Sequence, residues 1–165
     1  AIWPGGQFYR AAEPTRLRFH QRGRGLYISR HLRQAVGMSF LFVILGCALG
    51  GVVRYLGTGL ITRFCGDRFP WGTLGVNMLG SFLLGLLLGA GSAASAGSLA
   101  EEATFAFMGI GFCGGLTTFS TFSLQSFVLV SARAWGRALA NLLGSVLLCL
   151  LCVVSGYAIG EGLAG

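Results

Sequence analysis

The stretch GFCGGLTTFSTFSLQS, residues 111–126, places a Gly-Gly pair and six hydroxyl side chains inside a long apolar run. Polar groups are costly in hydrocarbon, so residues of these types at this depth point to ion or backbone chemistry rather than to a soluble active site. An interruption at Cys113-Gly114-Gly115-Leu116-Thr117 would expose main-chain oxygens, and those of Gly114, Gly115 and Thr117 are suited to a cation. The competing reading is a Gly-Gly kink healed by Thr117 and Thr118 hydroxyls bonding back to the backbone, and spacing alone favours the kink.

Beyond the glycines, Phe119, Phe122, Ser123 and Ser126 share one helical face, and Thr118, Thr121 and Gln125 share another. A phenyl ring is positive at its edge, so Phe edges beside hydroxyl donors can replace part of a small anion's hydration shell without a fixed positive charge. Two phenylalanines three residues apart are also ordinary packing. Polar stripes recur elsewhere: Asn77, Ser81, Gly85 and Gly89 at every fourth residue, and Arg137, Asn141, Ser145 and Cys149 likewise. One such stripe is commonly interhelical glue, worth about 0.6–2 kcal/mol, whereas three on three spans imply a shared polar path. Arg54, in GGVVRYL, is the one ionisable residue well inside a span, with a structural or vestibule role ahead of direct ion contact.

The elements that must position these residues follow from composition. Of 165 residues, 54% are hydrophobic and 10% charged, with mean hydropathy +0.73, so the chain is an integral membrane protein. Four spans are expected at about 39–62, 73–94, 103–130 and 135–160, each long enough for a hydrocarbon core of about 30 Å at about 1.5 Å per residue. The pairs Gly46/Gly50, Gly85/Gly89 and Gly111/Gly115 have the small-xxx-small spacing that lets membrane helices touch backbone to backbone. The fold class is all-α, a compact four-helix membrane unit covering residues 38–165.

Residues 1–37 carry seven of the twelve arginines and both histidines, His20 and His31, so the net charge of +7 describes that segment. It reads as a basic leader or a misassigned start, disordered, with a basic arm on an anionic membrane surface as the functional alternative. No histidine remains for a metal or catalytic centre in the spans, and the five cysteines lack the pattern of a disulfide framework. With no nucleophile–base or acid–base pair there, the chain is not read as an enzyme. No Asp or Glu falls within the apolar cores, which argues against proton-coupled exchange and for a passive pore. Arg63, Arg68, Arg133 and Arg137 lie at two connections on one side of the membrane, while Glu101, Glu102 and Glu161 lie on the other. For a chain counted from Met38 that bias places the arginines in the cytoplasm, and the arginines of residues 1–37 cancel or reverse it.

The sequences GGLTTFSTF (114–122), WGTLGVNMLGSFLLG (71–85) and GGVVRYL (50–56) together resemble the Fluc (CrcB) family of small fluoride channels, over about residues 38–160. The resemblance implies a dual-topology, antiparallel dimer of four-helix subunits with a broken third helix, exporting fluoride passively across the inner (plasma) membrane and conferring fluoride resistance. It implies a structural sodium ion at the dimer centre, held by the backbone oxygens of Gly114 and Thr117. Phe119 and Phe122 would be the pore phenylalanines, with Asn77, Ser145 and Cys149 along the ion path. Thr118 and Ser81 join them from the polar stripes. The family commonly has a Tyr four residues before the first fourth-span hydroxyl, where this chain has Asn141. Expected partners are fluoride, the lipid bilayer and a second copy, or a related subunit of opposite orientation, and no nucleic acid. The alternative function is a dual-topology small-molecule or multidrug-type transporter, followed by a non-transporting scaffold.

Overall fold

The computed structural model describes residues 15–93 and 99–164; for residues 15–38, 92, 93 and 99–101 it describes the backbone alone. Its elements are α1 (Thr15–Cys65), α2 (Trp71–Ala93), α3 (Leu99–Thr104), a π-helical segment (Phe105–Cys113), α4 (Gly114–Leu116), α5 (Phe119–Ser131) and α6 (Trp135–Ala164). Among the described residues there is no strand, and four stretches are long and apolar enough to cross a membrane: Ser39–Cys65, Trp71–Gly91, Glu102–Ser131 and Trp135–Ala164. These agree with the four expected spans. The expectation of disorder for residues 1–37 lies outside the described residues over 1–14. From Thr15 the backbone is helical.

Chain reversal is set by local chemistry. Gly66 follows α1 in the left-handed region at φ 82°, which a residue without Cβ enters at no steric cost. Pro70 precedes α2 and accepts from the Leu74 amide at 3.1 Å, so it opens the first turn without a wasted donor. At the end of α5, Ala134 N–H donates to Leu129 O and Arg133 N–H to Val130 O, both at 2.9 Å. This is a Schellman closure, and it puts Arg133 at φ 54° where glycine is usual.

Packing follows the glycines. A Cβ built on Gly46 would meet the Phe107 carbonyl and lie 2.9 Å from the Gly111 Cα, and one on Gly115 would lie 2.8 Å from the Cys47 Cα. The first and third spans therefore touch main chain to main chain. The same holds between α2 and α6: Gly89 faces Tyr157 O, and Gly160 faces Leu86 O. In hydrocarbon, where burying apolar surface gives helices no drive to associate, such close approach supplies the dispersion contact that holds them. Helix α2 is the hub, packing on α6 and on the π segment, α4 and α5. The buried side chains Leu74, Val76, Cys113, Leu116 and Phe122 sit around it, while leucines such as Leu142, Leu147 and Leu150 of α6 are exposed, as a lipid-facing surface requires.

Candidate functional site

The site is built where the third span leaves helical geometry. Thr117 (φ −82°, ψ 156°) and Thr118 (φ −149°, ψ 120°) are both extended, between Leu116 at the end of α4 and Phe119 at the start of α5. Backbone of this kind at membrane depth needs partners for its polar groups: the Thr117 amide donates to Cys113 O at 3.0 Å, and side chains supply the other three. Asn77 of α2 takes the Thr118 amide on its Oδ1 at 2.8 Å and donates Nδ2 to the Thr118 carbonyl at 3.1 Å. Thr118 Oγ1 accepts from the Thr121 amide at 3.2 Å, capping α5. Arg54 donates Nη1 to the Thr117 carbonyl at 3.1 Å.

These bonds have a consequence for the carbonyls. In an unbroken helix the Thr118 amide would close a turn on Gly114 O, and the Thr121 amide would close one on Thr117 O. Both amides are instead taken by Asn77 and by the Thr118 hydroxyl, which releases Gly114 O and Thr117 O from their helical donors. The interruption falls at Thr117–Thr118 and not at the glycine pair, since Gly114–Leu116 are helical; of the two hydroxyls expected to bond to the backbone, that of Thr118 does so by accepting from the Thr121 amide. Gly114 has open space where a Cβ would stand.

Beside this backbone lies a cavity of about 550 Å³. Eight sequence-selected residues line it: Asn77 and Ser81 from α2, Gly114, Thr117, Thr118, Phe119 and Phe122 from the third span, and Ser145 from α6, with Cys149 one turn further. The rest of its wall is Gly and apolar side chains, so a few polar groups converge in an apolar setting. The Phe119 and Phe122 rings stand 5.7 Å apart at 47°, a tilted pair that offers edges rather than stacked faces. Phe122 is 8% exposed and Phe119 is 79% exposed in the single chain.

Arg54 falls elsewhere. It is half-buried and lines a second cavity of about 690 Å³ with Tyr55, Thr58, Arg63, Thr118 and Thr121. Thr118 lines both cavities, and its capping hydroxyl donates to Thr121 Oγ1 at 3.0 Å. The two arginines give the second cavity a positive lining, and the Arg54 guanidinium is anchored to a third-span carbonyl. Among the described acidic residues, Asp67, Glu102 and Glu161 are all exposed.

Three features were not legible beforehand. The third span enters the break through a nine-residue π-helix, Phe105–Cys113, and wide turns of this kind recur at functional sites. Gly80 of α2 faces the Thr117 methyl so closely that a larger residue would displace the break, and glycine abundance in the span hid it. Asn141 is 2% exposed and joins Ser126 to Ser145, a link that the four-residue spacing of Asn141 and Ser145 could have disclosed.

Comparison with known proteins places these features in context. Residues 41–157 match the family described as CrcB-like protein, Camphor Resistance (CrcB). A protein of Opitutus terrae named fluoride-specific ion channel FluC is 44% identical over 125 residues, covering 75% of this chain and 93% of the relative. Proteins of the same name from Magnetococcus marinus and Methylocella silvestris are 42% and 41% identical, covering 75% and 74% of this chain and 98% and 92% of the relatives. The similarity thus takes in nearly the whole of each relative, and the family match spans every residue of the cavity wall.

Proposed function

The chain belongs to the CrcB family, and from that membership we propose that it is a fluoride-selective channel of the inner membrane that conducts passively. It is a multi-pass membrane protein, and its relatives are channels rather than enzymes. The observation that carries the reading is the cavity in which Asn77, Ser81, the two phenyl rings and Ser145 converge beside an interrupted helix. A small, strongly hydrated anion gives up water only where donors and positive edges replace it. Hydroxyl and amide groups supply hydrogen bonds, and the ring edges supply positive potential without a fixed cation that would trap the ion. Passive conduction fits the cavity, because a coupled exchanger needs a carboxylate on the transport path and the cavity lining holds none.

The proposal extends to assembly. Gly114 and Phe119 are exposed in one chain although both line the cavity, which supports a second subunit closing it, arranged antiparallel as the resemblance implies. The released Gly114 and Thr117 carbonyls, one pair from each subunit, would hold a structural sodium ion, which when bound would give four main-chain oxygens a partner at the centre of the assembly. Arg54 would then hold the outer lone pair of Thr117 O from the vestibule side.

The test is fluoride efflux from liposomes containing the purified full chain. We expect efflux down a fluoride gradient with no proton gradient present, together with exclusion of chloride. Efflux that stops when the proton gradient is removed, or a chloride flux equal to that of fluoride, refutes the reading.

A further inference from the structure

Behind the cavity wall, a chain of hydrogen bonds joins α6 to α5. Ser145 Oγ donates to Asn141 Oδ1 at 3.4 Å, Asn141 Nδ2 donates to Ser126 Oγ at 2.9 Å, and Ser126 Oγ donates to the Phe122 carbonyl at 2.9 Å. Ser145 and Phe122 line the cavity, whereas Asn141 and Ser126 do not. Asn141 is 2% exposed, so its amide has no recourse to water. All three donors run the same way, from Ser145 on one side of the cavity, behind its wall, to the Phe122 carbonyl on the other. In that sense the Ser145 proton is turned to Asn141 and its lone pairs face the space an anion would occupy, the wrong polarity for binding one.

Turning the Ser145 O–H alone toward an anion would strand Asn141 Oδ1 without a donor in a buried site, which is unfavourable. A side-chain amide offers another course because it carries a donor and an acceptor on one planar group. We propose that Asn141 is a positioning residue whose amide swivels by a half turn when an anion reaches Ser145, freeing the Ser145 O–H to turn and donate a hydrogen bond to the anion while every buried polar atom keeps a partner. After the swivel, Asn141 Nδ2 donates to Ser145 Oγ and Ser126 Oγ donates to Asn141 Oδ1. The Phe122 carbonyl keeps the helical amide of Ser126. The bond given up first is the longest of the three, 3.4 Å against an ordinary O–H···O separation of about 2.7–2.8 Å, so the resting chain is weakest where it must open. Leucine offers neither role, and an ionised carboxylate accepts only.

This inference rests on the reading of the chain as a fluoride channel, and the experiment separates the two. Fluoride efflux is measured on the full chain in liposomes for the unsubstituted protein, Asn141→Leu, Asn141→Asp, Ser145→Ala and the Asn141→Leu/Ser145→Ala double variant. Asn141→Leu and Ser145→Ala should each slow efflux about tenfold, the loss of one hydrogen bond to a charged partner, and the double variant should be no slower than either. Asn141→Asp should conduct faster than Asn141→Leu at the acidic end of the range, where a protonated carboxyl both donates and accepts, and lose that advantage as pH rises. Losses that multiply in the double variant, or an Asn141→Asp protein as slow as Asn141→Leu at every pH, overturn the swivel and leave the channel reading intact. Absence of fluoride efflux in the unsubstituted protein overturns both. Should Asn141→Leu fail to assemble, Ser126→Ala replaces it in the cycle. Ser126 lies off the cavity yet supplies the proton that Asn141 Oδ1 accepts after the swivel, so unchanged efflux in Ser126→Ala counts against the proposal.

Discussion

Replacing Asn77 tests whether the third-span break is held by one side chain of α2. Asn77 satisfies both backbone groups of Thr118, at 2.8 and 3.1 Å, across 41 residues of sequence. Asn77→Ala removes both bonds and leaves a buried N–H and C=O in a low-dielectric setting. At about 1 kcal/mol net per bond, and up to about 3 kcal/mol for each group left unpaired, the loss is about 2–6 kcal/mol, toward the lower end if cavity water reaches Thr118. Asn77→Asp keeps the acceptor for the Thr118 amide, loses the donor to its carbonyl, and sets a negative charge against the cavity. Its stability should fall by about half as much, while its fluoride efflux should be lost almost completely by like-charge exclusion. Reversible unfolding in mixed micelles, read beside liposome efflux, separates the two effects. An Asn77→Ala protein within about 0.5 kcal/mol of the parent would refute the reasoning, since the Thr118 groups would then need no clamp. An Asn77→Asp protein conducting at the parent rate would refute the assignment of Asn77 to the anion path.

Phe122→Ile, at an 8%-exposed position, should cost about 1 kcal/mol in stability, and Phe119→Ile, 79% exposed, almost none in a single chain, yet both should slow efflux at least tenfold because the ring edge is lost. Equal efflux in both would make the rings packing only. Gly115→Ala should destabilise the subunit by about 2 kcal/mol or more, since its Cβ would lie 2.8 Å from the Cys47 Cα, whereas Gly114→Ala meets nothing within the subunit and should instead weaken subunit association. Unfolding and cross-linking measurements report the two outcomes separately. Arg133→Gly should raise stability by about 1 kcal/mol by relieving the left-handed conformation at φ 54°, which thermal unfolding would register.

What sequence alone determined were properties carried by neighbours along the chain. Membrane insertion and four spans follow from run length and composition, because hydrocarbon requires each apolar stretch to be long and helical by itself. The small-xxx-small pairs were legible for the same reason: one helix face, fixed by four-residue spacing, presents them, and the glycines at 46, 85, 89, 111 and 115 all meet backbone. The convergence of Asn77, Ser81, Phe119, Phe122 and Ser145 could be expected from polar stripes on three spans and from the family motif. Which stripe faces which was left to the bundle.

Tertiary structure decided the bonds that cross it. That Arg54 meets the Thr117 carbonyl, 63 residues away, instead of snorkelling to the interface, and that Asn77 rather than a hydroxyl holds Thr118, depends on the rotation and depth of whole helices. No local pattern encodes these. The π-helical approach to the break was equally illegible, since FAFMGIGFC reads as an ordinary apolar helix and nothing in its local pattern marks the wider turns that pack against α1 and α2. Asn141 is the clearest division between the two. Its place on a polar stripe was visible, but its burial and its role as the link between Ser126 and Ser145 exist only because α5 and α6 lie side by side, where a polar group without water must find its partners in the neighbouring helix.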